Sequence, residues 1–133
     1  MYETGRRLPN AGAYQEVRMI HKDLEINGQK ITKEDEIPAF FAEKRFTCCI
    51  HDYVLEVEFS ADRHAFIGWL NGDEEVCYFD NGSGQTDSVE LLINICPEAR
   101  MMCRDPDVLK EIVLYFCETG QRSPRFQWIR DTV

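Results

Sequence analysis

At 133 residues, 44% of them hydrophobic, the chain can bury a core without disulfide or metal staples, and its length fits one domain over 1–133. No run approaches the ~20 apolar residues of a bilayer-spanning helix. Met1-Tyr2-Glu3-Thr4-Gly5-Arg6-Arg7 has no apolar stretch behind it, so a soluble cytoplasmic protein without a signal peptide is expected. The net charge of −9 is concentrated mid-chain: no Lys or Arg stands between Arg63 and Arg100, where Asp73, Glu74, Glu75, Asp80, Asp87, Glu90 and Glu98 all lie. Such a field repels nucleic acid and acidic membranes and attracts a basic protein, although it also serves simply for solubility.

In chain order, residues 1–12 read as a flexible lead-in, and Tyr14 to Ile20 alternates as a strand. Leu24-Glu25-Ile26 and Lys30-Ile31 flank Asn27-Gly28, a strong hairpin signal. Thr32-Lys33-Glu34-Asp35 resembles a helix N-cap with an acidic residue three positions on, predicting a short helix that carries Ile37, Phe40 and Phe41 and is limited by Pro38. Tyr53 to Phe59 alternates strictly, with Tyr53, Leu55, Val57 and Phe59 on one face. Phe66 to Leu70 and Val76 to Phe79 form a hairpin around Asn71-Gly72-Asp73-Glu74-Glu75, Val89 to Ile95 gives another strand, and Met101-Met102-Cys103 a short one. Asp105 caps a helix that opens with Pro106, carries a stripe of Val108, Leu109, Ile112, Val113 and Phe116, and stops at Gly120. Phe126-Gln127-Trp128-Ile129 reads as a short terminal strand. The fold class is therefore α+β: a mostly antiparallel β-sheet with the C-terminal helix packed on one face.

Reactive side chains are densest at Cys48-Cys49-Ile50-His51-Asp52, read either as a nucleophile with its base or as part of a metal site. Neither spacing persuades. No CxxC occurs, and adjacent cysteines in a strand face opposite ways. Of the six cysteines, Cys48, Cys77, Cys96 and Cys117 fall in apolar runs and read as buried reduced thiols. His21, His51 and His64 show no ligand-like interval. No catalytic residue, cofactor or metal ligand is assigned. Asp80-Asn81-Gly82-Ser83-Gly84-Gln85-Thr86-Asp87 lacks the marks of a phosphate or calcium loop; it is a turn or an adaptable binding loop. Trp128 is expected to fill the core, whereas Trp69, if exposed, would make a natural interface anchor.

The run from Val108 to Trp128 resembles the C-terminal signature of a bacterial family, immunity (Imm) family one of the polymorphic-toxin systems. That signature is a helix, a Phe, "Thr-Gly-x-Arg-Pro" and "Val-x-Trp". Phe116, Thr119, Gly120, Arg122, Pro124 and Trp128 match it, with Ser123 inserted before the proline and Phe126 in place of Val. Gly68-Trp69-Leu70 and Val76-Cys77-Tyr78-Phe79-Asp80 are similar to the family's paired central strands, so the likeness covers roughly residues 65–130. The resemblance implies an immunity protein, without enzymatic activity, that neutralises a cognate toxin C-terminal domain by stoichiometric occlusion in interbacterial competition. The partner would be basic and of the nuclease or nucleic-acid deaminase class, with no direct nucleic-acid or membrane contact. Charge and loop position nominate Trp69, Asp73, Glu74, Glu75, Asp80, Asn81 and Asp87 as toxin-binding residues. Two rivals make other predictions: an acidic secretion chaperone would be a stable homodimer holding an extended effector segment, and a thiol enzyme would carry one hyper-reactive cysteine.

Overall fold

The computed structural model describes residues 19–92 and 96–131. The expected lead-in and most of the strand expected over 14–20 lie outside these residues; Met19 and Ile20 hold no strand.

Asn27 and Gly28 take φ of 51° and 81°, the left-handed values that a tight turn between twisted strands requires. They join β1 (Glu25–Ile26) to β2 (Gln29–Lys30). The Asn27 side chain also accepts from the Thr47 N–H at 2.9 Å, tying the turn to the next strand. The expected helix after Thr32 is instead two 3₁₀ turns, Glu34–Glu36 and Pro38–Ala42. The Glu36 carboxylate, rather than Asp35, accepts from the Thr32 and Lys33 N–H groups, and Pro38 prevents one continuous helix.

Strands β3 (Arg45–Ile50), β4 (Tyr53–Phe59), β5 (Ala65–Asn71) and β6 (Glu75–Asp80) follow as an antiparallel meander. The β5–β6 strands run further than their apolar residues, pairing Asn71 with Glu75, so only Gly72, Asp73 and Glu74 form the turn. β7 (Met102–Cys103) pairs with the first residues of β5, and β8 (Gln127–Asp131) pairs along β6. All eight belong to one sheet, ordered β2-β1-β3-β4-β5-β6-β8 with β7 on β5. Residues 89–92 form no strand, correcting the expectation there, while 93–95 lie outside the described residues. Leu91 makes one isolated bridge to Ser60 and buries with Phe66 and Met102 in a small second core, so the run caps one end of the sheet.

Helix α1 (Pro106–Thr119) is built as its sequence dictates. Asp105 accepts from the Asp107 N–H, Pro106 opens the helix, and Gly120 closes it at φ 76°. Leu109, Ile112, Val113 and Phe116 of the stripe are buried, joined by Leu114 and Cys117, against Ile26, Cys48, Leu55, Ile67, Trp69 and Cys77 of the sheet. The architecture is α+β, with the helix on one face and a terminal strand at the edge. No described helix is long and apolar enough to cross a membrane.

Candidate functional site

The signature-like residues of the C-terminal third assemble at one end of the sheet. Trp69 is only 2% exposed, and its indole N–H donates to the Gly120 carbonyl at 3.1 Å. Its ring stacks on Tyr53 at a 20° interplanar angle, and the Arg122 guanidinium sits 4.7 Å from the ring centre. Glu75 lies between Arg122 at 3.5 Å and Arg130 at 3.4 Å. Trp128 donates from its indole N–H to the carbonyl of Ser123, the residue inserted relative to the signature, and Ser123 is itself buried. A Cβ on Gly120 would stand 3.4 Å from the Tyr53 ring. These contacts latch the end of α1 and the chain after it onto β4, β5 and β6. An open cleft of about 540 Å³ lies beside them, lined by Tyr53, Asn71, Gln121, Pro124 and Phe126 among others.

The residues nominated as toxin contacts do not form one patch. Trp69 is buried, so the exposed anchor is ruled out: its indole belongs to the latch. Glu75 is engaged by two arginines. Asp73 and Glu74 are exposed at the tip of the β5–β6 turn. Asp80 and Asn81 lie at the opposite end of β6, roughly 17 Å along the strand. Asn81 is structural: its amide donates to the carbonyls of Ala99 and Met102, both at 2.9 Å. Asp80 accepts from the Gly82 N–H, and Asp87 is exposed on the loop beyond. A cavity of about 600 Å³ opens at this second end between Asp80, Asn81, Arg104, Asp105 and Arg125. Sequence reasoning missed the latch as a unit because Trp69 and Arg122 are far apart in the chain.

The Cys49–His51 region forms a polar hollow of about 370 Å³ with Asp23, Glu25 and Lys30. His51 Nε2 lies 2.6 Å from Asp23, whose carboxyl is held below its ordinary range chiefly by that hydrogen bond. Burial pushes the Cys49 thiol up, and the carboxylates of Glu25 and Glu56 add to the shift. A reactive thiolate needs the opposite field. Cys48 is pushed up by its contact with Cys117 and by burial, Cys77 by burial, and Cys103 by burial to about 11. Cys48, Cys77 and Cys117 are buried as expected, whereas Cys96 is exposed and belongs to neither apolar cluster. No group of three His, Cys, Asp or Glu among the described residues is placed to hold a metal ion.

Compared with known proteins, the chain matches no family model, no curated protein and no solved structure.

Proposed function

We propose that the chain is an immunity protein, which binds a basic toxin domain acting on nucleic acid and neutralises it by stoichiometric occlusion. The observation that carries this reading is charge: a net −9 with no Lys or Arg between Arg63 and Arg100, and with Asp73, Glu74 and Asp87 exposed to solvent. Such a field raises the association rate with a basic cleft that must itself bind nucleic acid. The pushed-up thiols of Cys48, Cys49, Cys77 and Cys103 count against the thiol-enzyme alternative.

Calorimetry against the C-terminal toxin domain encoded immediately upstream, with toxicity scored on co-expression, tests the reading. One-to-one binding that weakens with salt and abolishes toxicity is expected. Absence of binding with undiminished toxicity overturns it for that pair. A homodimer that grips an extended segment of the partner favours the chaperone instead.

A further inference from the structure

The face of the sheet turned away from α1 carries apolar residues that neither core uses. Val54 pairs with Leu70 and Leu70 with Val76, so three side chains stand abreast on β4, β5 and β6. Ile129 stands one row along, opposite Tyr78. All four are partly exposed and belong to neither apolar cluster. Period-two alternation places Glu56 in the row of Gly68, Tyr78 and Ile129, and Asp131 beside Val76. The Tyr78 ring lies across Gly68, 3.6 Å from where a Cβ would stand, and stacks on Phe66 with centroids 5.4 Å apart. Its hydroxyl donates to Asp131 at 3.3 Å.

Acidic groups dominate the electrostatics around Glu56 and Tyr78 on this face. Burial and then the Asp131 and Glu56 carboxylates raise the Tyr78 hydroxyl's pKa. Glu58, 4% exposed and with Oε1 lacking any hydrogen-bond partner among the described residues, is pushed up by burial and then by Glu56, with Arg45 pulling the other way. Cys49 feels Glu25 and Glu56 in the same sense. Glu56 acts on all three and has no ion-pair partner among the described residues. Of the cations of the face, Lys30 stands at its far side on β2, and Arg45, at the start of β3, lies opposite Glu58 and partly offsets the upward push on its carboxyl.

We propose that this face, with Glu56 and Tyr78 beside the Val54, Leu70, Val76 and Ile129 patch, is the docking surface for a basic protein. The proposal rests on the immunity reading and supplies the surface it requires. An apolar centre rimmed by acid has the anatomy of a protein interface, and an aromatic ring with a carboxylate beside it suits an arginine or lysine of the partner. Charge decides among occupants. A second copy of this chain would bring Glu56 and Asp131 against their own like charges, and nucleic acid or acidic lipid would be repelled. A basic protein gains from every one of these groups. Asp73 and Glu74 are exposed at the β5–β6 turn, at the end of the sheet opposite Asp80.

The test is calorimetry of the full chain and of two variants with the toxin domain encoded immediately upstream, at low and moderate salt, with melting temperatures recorded. Glu56→Arg with Asp131→Arg should weaken binding on the order of 100-fold at low salt and less as salt screens the contact, with only a small fall in melting temperature from loss of the Tyr78 hydroxyl's hydrogen bond to Asp131. Asp35→Lys, on the 3₁₀ turn away from this face, should bind as the parent chain does. Parental binding unaffected by the double reversal overturns the surface and leaves the immunity reading standing. No binding by the parent chain removes both the immunity reading and the occupant. A large drop in melting temperature on Leu70→Ser with Val76→Ser would show that the protein itself covers the patch, and would also overturn the proposal.

Discussion

The two faces of the sheet come from the same strands yet are solved differently. On the α1 side, Ile26, Cys48, Leu55, Ile67, Trp69 and Cys77 are at most 2% exposed and pack as one core. On the other side, Val54, Leu70, Val76 and Ile129 alternate with Glu56 and Asp131, and among the described residues one end is capped, where Leu91 and Met102 bury Phe66. A chain whose only requirement was folding would place polar residues along such an outer face. The apolar residues kept there belong to neither apolar cluster, and this is why we propose that they meet a partner. On the docking proposal, stability rests mainly on one face and recognition on the other, one residue apart along each strand.

That division can be broken from either side. Trp69→Ala should act most strongly, costing about 3–5 kcal/mol in chemical denaturation because it empties a buried site and leaves the Gly120 carbonyl and Tyr53 ring without their partner. Gly120→Ala should cost about 1–2 kcal/mol, since an L side chain at φ 76° is strained and its Cβ crowds Tyr53. Asp105→Ala removes the helix cap and should lower stability by about 1 kcal/mol. The outer-face counterpart Val76→Ser should change stability by less than any of these while weakening partner binding, and the reverse ordering would erase the distinction between the faces.

Glu58→Gln sharpens the comparison through pH. The Glu58 carboxyl is held above its ordinary range, so the folded state binds that proton more tightly than the unfolded chain. The group therefore favours folding below the ordinary glutamate range, and that contribution is lost as pH rises through the raised value. The glutamine variant should show a flatter dependence of unfolding free energy as pH rises from the ordinary glutamate range upward. A slope equal to the parent's would mean that Glu58 titrates alike in both states.

Features written within a few residues were legible in the sequence. Asn27-Gly28 specified its hairpin, Asp105-Pro106 and Gly120 bounded α1, and the strict alternation of β4 placed Leu55, Val57 and Phe59 in the core. Features that depend on distant partners were not. Nothing near Glu75 announces that Arg122 and Arg130 will bracket it, so it read as a free acidic contact. Trp69 sits in an apolar strand buried on both faces over much of its length, where alternation gives no direction. Residues 89–92 carry strand-like composition, but the sheet offers them no ladder, only the single bridge from Leu91 to Ser60. The outer patch was hidden for a related reason: Val54, Leu70, Val76 and Ile129 become neighbours only through register.

The terminal strands of the sheet carry one further consequence. β2 is two residues long and ends in Lys30, and β8 ends in Arg130 and Asp131. Short or charged edges discourage another chain from extending the ladder, which is how sheet proteins escape fibrous self-assembly. Shortening β8 would uncover Val76-Cys77-Tyr78-Phe79 as a longer and more apolar edge. Loss of a few C-terminal residues should therefore be seen first as aggregation in concentrated samples.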